Sequence, residues 1–368
     1  MRLPTETIVT APGRICLFGE HQDFLELAVI AAPIDLSITL TCRPRRDTRF
    51  VLDLPDLEEV DHFQVDCEVE YRHKRDYIRS ATNVLHRRGL KLTHGYDCTV
   101  RGTIPINAGT SSSSALVVAW TAFLLYTQDS DLPHDRETIA RFAHQAEVLE
   151  FKEPGGMMDH YSSALGGLLY LDCREPITAS RLPARLDGFV LGDSGVPKDT
   201  TGTLRGSRDD TREGLAILRK HVPEFDLRTT PRQEAEEYFP LMSDRVQGRV
   251  RANFINRDLC QDARTMLAGD GPVDQARLGA MLLEHQRQLR DGISVSHPKL
   301  DALIDAAMGA GALGGKLNGS GCGGCMFAYA PGRQGEVAEA INRAGGRAYV
   351  IAISDGVSVE ERQTMSDE

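Results

Sequence analysis

The sequence lacks several features that would place it in common functional classes. No uninterrupted apolar run reaches the ~18 residues that a membrane span needs. The first ten residues carry Glu6 and lack the long apolar core of a secretion signal. Acidic residues outnumber basic ones by 53 to 42, and no basic stripe is present. The sequence therefore predicts neither a membrane partner nor a nucleic-acid partner.

Paired cysteine motifs and the lysine-bearing P-loop are also missing. The eight cysteines are scattered, mostly in apolar or β-like stretches where a free thiol behaves as a small hydrophobe. This pattern favours a reducing, cytoplasmic location. Cys322 and Cys325 have no second Cys/His pair nearby, so packing among glycines is favoured over zinc binding. The P-loop pattern G-x-x-x-x-G-K-[ST] is absent.

Length and periodicity predict a mixed α and β chain with two domains. A chain of 368 residues can form two cores of moderate size, and we place the domains at residues 1–185 and 186–368. The first half predicts a strand over 28–42, a second strand over 51–54 paired with it, and a helix over 74–88. The second half predicts helices packed on one antiparallel sheet, with a frayed end over 355–368.

A glycine- and serine-rich turn at residues 105–115 is the strongest local signal. Gly109 and four consecutive serines, Ser111, Ser112, Ser113 and Ser114, stand between a predicted strand and a predicted helix. Backbone N–H groups and the positive end of a helix dipole would converge there, which suits a phosphate. The alternative is that the serines only cap the helix.

A second glycine cluster covers residues 314–324. Each glycine costs roughly 1 kcal/mol of conformational entropy relative to alanine, so such a cluster is expected where the backbone must approach something closely. Gly319 and Gly321 would allow close approach to phosphates, and Lys316 would neutralise part of their charge. The alternative is a flexible loop. Two such clusters together favour a polyphosphate ligand.

Polar side chains in two further segments suit a substrate with several hydroxyl groups. Glu20, His21 and Asp23 follow a short apolar strand within four residues and could bind several hydroxyls of one ligand. Asp159 follows a glycine-rich bend and is placed as a base, whereas Glu147 and a serine hydroxyl could hold Mg²⁺. A solvated turn and surface acids are the alternatives.

Taken in order, these segments resemble the GHMP kinases, the family of galactokinase, homoserine kinase, mevalonate kinase and phosphomevalonate kinase. Residues 11–23, 105–115 and 316–324 resemble its three motifs. Residues 19–24 are most similar to the galactokinase signature, although galactokinases usually have tyrosine where Phe24 stands. Residues 192–197, 295–301 and 311–314 look similar to mevalonate kinases, and Asn318 departs from the commoner threonine of the third motif.

The resemblance implies a two-domain α+β fold with an active site in the cleft between the domains. The N-terminal domain would be similar to the second domain of ribosomal protein S5 and the C-terminal domain ferredoxin-like. Asp159 and Arg14 would be catalytic, whereas Glu20, His21, Asp23 and Gly156 would bind the substrate. ATP phosphates would lie on residues 109–114, Lys316, Gly319 and Gly321, with Mg²⁺ at Ser113 and Glu147; the serine assignment is open by one position.

The implied activity is transfer of the γ-phosphoryl group of ATP to a sugar hydroxyl, that of the anomeric carbon of galactose or a related sugar. Mevalonate, another hexose, a uronic acid and L-arabinose stay open as acceptors. A non-enzymatic regulator that senses a sugar or ATP is the alternative from another class. Retention of Arg14, Glu147 and Asp159 argues for an enzyme. The sequence leaves open a monomer or a homodimer.

Overall fold

The structure is a computed structural model that describes residues 5–64, 68–105, 109–197, 200–269 and 271–363. The strands are β1 Thr5–Phe18, β2 Val29–Pro44, β3 Arg49–Leu54, β4 Glu59–Gln64, β5 Tyr96–Gly102, β6 Leu169–Asp172, β7 Thr178–Arg181, β8 Phe189–Asp193, β9 Gly314–Asn318, β10 Cys325–Tyr329, β11 Arg347–Ile351 and β12 Ser358–Gln363. The helices are α1 Tyr77–Arg87, α2 Ser112–Thr127, α3 Arg136–His144, α4 Met158–Leu165, α5 Thr200–His221, α6 Arg232–Glu236, α7 Asp244–Leu267, α8 Gln275–Arg287, α9 Pro298–Gly309 and α10 Gln334–Arg343. Short 3₁₀ segments lie at Asp23–Leu25 and Phe239–Leu241, and π-helical segments at Gln145–Leu149 and Gln288–Gly292.

The first sheet is built on the long antiparallel pair of β1 and β2. Its strand order is β12-β1-β2-β5-β3-β4, with β6 paired to β2 and β7 to β6. The prediction that residues 51–54 pair with the strand over 28–42 is wrong, because β5 occupies that edge of β2 and β3 pairs with β4 and β5. This register points Phe50 and Leu52 into the core, where the Phe50 ring contacts Trp120 of α2.

The second sheet contains β8 to β11 in the order β11-β8-β10-β9, and all its pairs are antiparallel. Numbered along the chain, these strands take the order 4-1-3-2, with helices between the first and second and between the third and fourth. This is the ferredoxin-like arrangement. The predicted α+β class is therefore confirmed.

The C-terminal strand returns to the first sheet. Residues 358–363 pair with residues 5–10 along the free edge of β1. The prediction of a frayed end is therefore wrong over this segment, because main-chain hydrogen bonds to an edge strand hold a sequence whose side chains are polar. Residues 364–368 lie outside the described residues. The proposed division at residue 185 stays a prediction, since β12 joins a sheet made otherwise of strands that precede that residue.

An apolar cluster joins the two sheets. It combines Ile15 and Phe18 of β1 with Phe189 of β8 and Phe327 of β10, all buried. Burial of such side chains stabilises the fold by roughly 1.5–3 kcal/mol each. The chain segments that leave this cluster, after β1 and after β9, are those that carry the predicted site. Among the described residues no helix combines the length and apolar character needed to span a bilayer.

Candidate active site

A pocket of about 300 Å³ lies where the two sheets meet, and it collects most of the predicted residues. The end of β1, the turn after it, the start of α2, the π-helical segment, the start of α4 and the turn after β9 all contribute to its wall. The predicted residues in the wall are Arg14, Glu20, His21, Asp23, Gly109, Ser111, Ser112, Ser113, Ser114, Glu147, Gly156, Asp159 and Gly319. Lys316 and Gly321 are not part of it.

Asp159 and Arg14 form an ion pair in the pocket. Asp159 lies in the first turn of α4, and its Oδ1 accepts a hydrogen bond from Nε of Arg14 at 2.8 Å and lies 2.8 Å from Nη2 of the same guanidinium. The Arg14 side chain is 5 % exposed and that of Asp159 is 29 % exposed, so the carboxylate is the partner that faces the cavity. Burial alone would raise the pKa of Asp159, but the Arg14 guanidinium, the Ser111 hydroxyl and His160 together lower it below its usual value.

Gly156 leaves the space that the carboxylate of Asp23 occupies. A Cβ on Gly156 would lie 2.1 Å from Oδ2 of Asp23, so only glycine lets this carboxylate occupy its place in the wall. The backbone N–H groups of Phe24 and Met158 donate to the carboxylate at 2.9 and 3.4 Å. Burial, helped by the negative charge of Asp159, raises the pKa of Asp23 to about 6. The two pocket carboxyls therefore have pKa values shifted in opposite directions.

His21 lines the pocket and is neutral. Burial lowers the pKa of His21 to about 4. Its Nε2 lies 3.0 Å from the carbonyl oxygen of Ser320, which can only accept, so Nε2 carries the proton and Nδ1 is an acceptor. Nδ1 has no partner among the described residues. The φ of His21 is 63°, a left-handed conformation that is uncommon outside glycine.

Lys316 holds Glu20 from behind the pocket. Its Nζ donates to Oε2 of Glu20 at 2.9 Å and to the carbonyl oxygens of Cys16 and Leu317 at 2.8 and 2.7 Å. The lysine side chain is fully buried and points along the sheet interior rather than into the cavity. The prediction that Lys316 neutralises nucleotide phosphates does not agree with this placement, because its three donors already have partners.

The two glycine-rich turns meet at the floor of the pocket. Gly319 has φ 82°, and a Cβ on it would lie 2.7 Å from the carbonyl oxygen of Gly109. Asn318 fixes this contact, since its Nδ2 donates to the same oxygen at 2.9 Å. Asn318 Oδ1 also accepts from the backbone N–H of Cys16 at 2.9 Å. The asparagine that departs from the third motif thus joins both turns to β1.

The start of α2 offers backbone donors to the cavity. Ser111 is the N-cap residue with φ 61°, and no side-chain hydrogen bond caps the helix among the described residues. The alternative that the serines only cap the helix is thus not what the structure shows for Ser111. The first turn of α2, with its first helical N–H groups and the positive end of the helix dipole, borders the pocket. Residues 106–108 of this predicted turn lie outside the described residues.

Glu147 is oriented by a histidine that the sequence reading overlooked. His160 Nε2 lies 2.8 Å from Oε2 of Glu147, and both side chains are nearly buried. Glu147 lies in the π-helical segment, an irregularity often found at functional sites. Glu147 and Ser113 both line the cavity, and hard oxygen donors of this kind suit Mg²⁺. A histidine that orients a ligating carboxylate is a usual second partner of such a site.

Arg75, Tyr77 and Glu153 also line the pocket, and the sequence did not predict them as site residues. Nε and Nη2 of Arg75 donate to the two carboxylate oxygens of Glu153 at 2.8 and 3.0 Å. Residues 75 and 153 are 78 positions apart, so no local pattern in the sequence signals their pairing. The position of Tyr77 at the start of a helix likewise gives no sign that its side chain reaches a pocket.

Comparison with known proteins shows that this chain is similar to kinases. Family models named "GHMP kinases N terminal domain" and "GHMP kinases C terminal" match residues 76–167 and 273–347, and "Galactokinase galactose-binding signature" matches residues 2–44. Mevalonate kinase of Thermococcus sibiricus is 30% identical over 96% of this chain and 98% of its own. Galactokinase of Haemophilus influenzae is 29% identical over 89% and 85%. The structure of Lactococcus lactis galactokinase complexed with galactose matches with a TM-score of 0.83 at 22% identity, covering 96% and 95%.

Proposed function

Since this chain belongs to the GHMP kinases and is a phosphotransferase with an alcohol group as its acceptor, we propose that it transfers the γ-phosphoryl group of ATP to the anomeric hydroxyl of galactose or a closely related neutral sugar. The observation that carries the proposal is the carboxylate of Asp23 fitted against Gly156 beside Asp159. Asp23 lies within the segment matched by the galactose-binding signature. This chain is about as identical in sequence to mevalonate kinases as to galactokinases, so sequence identity does not select the acceptor. The choice of acceptor rests on the pocket.

The charges in the pocket favour a neutral acceptor. Three carboxyl groups, those of Glu20, Asp23 and Asp159, surround the acceptor end. Each arginine in the described wall already has a carboxylate partner, and His21 is neutral. Glu20 and Asp159 are paired with Lys316 and Arg14, and Asp23 has no cationic partner among the described residues. An anionic acceptor such as mevalonate or a uronate would therefore meet the Asp23 carboxylate without an unpaired cation in the described wall. Carboxylates suit the hydroxyl donors of a sugar.

Asp159 is the proposed base. Its lowered pKa keeps it ionised at neutral pH, so it can accept the proton of the acceptor hydroxyl or orient that hydroxyl towards the phosphorus atom. Arg14 holds the carboxylate in place and adds positive charge beside the transferring group. Its Nη1 also donates to the carbonyl oxygen of Gly109 at 2.7 Å, which links the base to the proposed phosphate turn. Phosphoryl transfer depends mainly on such positioning and charge compensation.

The ATP phosphates are proposed to lie on the first turn of α2, between Gly109 and Gly319. Backbone N–H groups and the hydroxyls of residues 111–114 would bind their oxygens. Ser113 and Glu147 would hold Mg²⁺, which supplies charge neutralisation on the phosphates when bound. His160 keeps Glu147 in the orientation that faces the cavity. A cytoplasmic location is part of the proposal, and the scattered cysteines of the sequence are compatible with it.

A coupled assay of ADP release over a panel of acceptors tests the proposal. The panel contains galactose, other hexoses, L-arabinose, a uronic acid and mevalonate, each with Mg²⁺ and ATP. We expect the highest kcat/KM with galactose or another neutral sugar and no turnover with mevalonate. Phosphorus NMR of the product then locates the new phosphate, through its coupling to the anomeric proton.

Two outcomes would replace the proposal. Turnover of mevalonate without turnover of any sugar would assign the chain to mevalonate phosphorylation. Tight sugar binding by calorimetry without ADP release from any acceptor would support the regulator that senses a sugar. Turnover of a uronic acid above that of neutral sugars would contradict the charge argument while leaving the sugar kinase assignment in place.

A further inference from the structure

A second cavity, of about 540 Å³, lies on the other side of the turn that carries Asp23. Four arginines line it, Arg174, Arg212, Arg219 and Arg228, and we call it the arginine cleft. Only two carboxylates, Glu26 and Asp226, belong to the same wall. Such a concentration of guanidinium groups is unexpected on a chain with a formal net charge of -11.

Two of the four arginines have carboxylate partners. Arg174 makes a bidentate pair with Asp226, with contacts of 3.0 Å. Arg228 pairs with Asp172, and its Nη1 lies 2.6 Å from Oδ1 of that residue. These pairs fix two guanidinium groups in the wall of the cleft. These ion pairs give Arg174 and Arg228 a structural role.

Arg212 and Arg219 have no such structural role. Arg212 and Arg219 are exposed on α5, and neither has an ion pair or a side-chain hydrogen bond among the described residues. They are seven residues apart, close to two helical turns, so both point to the same side of the helix. The helix dipole favours Arg219 in the last turn, but it does not account for Arg212 in the middle of the helix.

The floor of the cleft is apolar. Phe24, Leu215 and Leu227 contribute to it, and the two leucines are buried. A cavity of this volume, with an apolar floor and converging cations, has the dimensions and chemistry of a small-molecule site. Guanidinium groups bind phosphate oxygens in a bidentate manner.

We propose that the arginine cleft is a second binding site, separate from the active-site pocket, for a small molecule that carries a phosphate or diphosphate group. Arg212 and Arg219 bind the phosphate oxygens. The pairs formed by Arg174 and Arg228 shape the wall of the site, and the apolar floor receives the rest of the ligand.

Calorimetric titration with pyrophosphate tests the proposal without any measurement of activity. The titration is done on the full chain without Mg²⁺, at low ionic strength and without nucleotide, because ADP carries the same diphosphate group; the two double substitutions separate binding in the cleft from binding in the active-site pocket. The test variant is Arg212→Gln/Arg219→Gln. The matched control is Arg205→Gln/Lys220→Gln, which removes the same charge from the same helix outside the cleft.

We expect the wild type to bind pyrophosphate and the test variant to bind it about tenfold more weakly, since two charge contacts are lost. The control variant should change the dissociation constant less than twofold. All four substituted side chains are exposed, so the fold should persist, and thermal unfolding checks this. Absence of binding to the wild type, or equal effects of the two double substitutions, would overturn the proposal.

Discussion

The two ends of the active-site pocket consist of different kinds of chemical group. The end assigned to ATP uses backbone groups and hydroxyls, at the start of α2 and at the contact between Gly109 and Gly319. The acceptor end uses ionisable side chains, including Asp23 and Asp159, whose pKa values are shifted in opposite directions. Backbone N–H groups donate hydrogen bonds regardless of pH, whereas the charge of each carboxyl depends on its burial and on its neighbours.

The difference predicts that substitutions at the two ends have separable effects. Changes at the acceptor end should alter turnover or the KM of the sugar and leave nucleotide binding intact. Changes near Glu147 should alter the metal dependence of nucleotide binding. A substitution with the same effect on both ligands would show that the pocket works as one unit.

Asp159→Asn should have the largest effect. The amide keeps the shape of the side chain but cannot accept the hydroxyl proton, so kcat should fall by roughly 10²–10⁴-fold. Binding of ADP, measured by calorimetry, should change little because the phosphate turn is made of backbone. Near wild-type turnover of this variant would remove Asp159 from the mechanism.

Gly156→Ala should have the next largest effect. The new methyl group would displace the Asp23 carboxylate from its place, since the added Cβ would lie within 2.1 Å of it. Loss of charged hydrogen bonds to the sugar should raise its KM roughly 10- to 100-fold, with the KM of ATP unchanged.

The neighbouring glycine provides a matched control for that substitution. A Cβ on Gly155 would lie 3.7 Å from the Val148 side chain, which is an ordinary contact. Gly155→Ala should therefore leave both KM values near those of the wild type. Equal effects of the two alanine substitutions would show that the loop itself, rather than the fit to Asp23, matters.

The sequence predicted the members of this site better than their contacts. The glycine and serine patterns predicted the phosphate-binding turns, because such turns have a local physical cause. The resemblance to the GHMP kinases implied that these turns and the acids at 23 and 159 lie in one cleft. The partner of Lys316 was missed because Glu20 is 296 residues away, and a glycine-rich context suggested phosphate binding instead. His160 was missed because it directly follows the predicted base, and only the packing of α4 on the π-helical segment brings it to Glu147.

The same distinction holds for the fold. Helix α1, Tyr77–Arg87, lies within the segment 74–88 that its apolar spacing predicts as helical. Strand partners depend on which sheet edge is free, and alternation along a strand carries no such information. That is why β3 and β12 could not be placed, although the buried alternation of Phe50 and Leu52 in β3 is evident from the sequence.

His160→Ala should have a smaller effect, confined to the metal. Glu147 would lose the donor to its Oε2, so we expect Mg²⁺ affinity to fall about tenfold. Calorimetric titration with a non-hydrolysable ATP analogue at several Mg²⁺ concentrations measures this without turnover. His160→Gln can donate from its amide and should recover most of the loss. A variant with unchanged Mg²⁺ dependence would show that Glu147 does not act on the metal.

The pH dependence of sugar binding should show the smallest effect within the physiological range. Asp23 has a pKa of about 6, so its carboxyl gains a proton below that pH and accepts fewer hydrogen bonds from the sugar. The value of kcat/KM for the sugar should fall a few-fold between pH 7 and pH 5.5, since about three quarters of the carboxyl is protonated at the lower pH. Asp159, with its lowered pKa, stays ionised throughout. In Asp23→Asn this decline should be absent; its persistence would assign the decline to another group.

Asp23 should also oppose folding at neutral pH. Its pKa in the folded chain, about 6, lies above the ordinary value of 3.8, so the folded state holds the proton over a range where the unfolded state has lost it. The cost is absent below pH 3.8, grows between the two values and is complete above pH 6, where it reaches roughly 3 kcal/mol at most. Asp23→Asn should therefore raise the free energy of unfolding at pH 7 more than at pH 4, as measured by urea denaturation. Equal changes at both pH values would mean that the carboxyl is not charged at a cost in the folded protein, and the contrast between the two ends of the pocket would then lose its electrostatic basis.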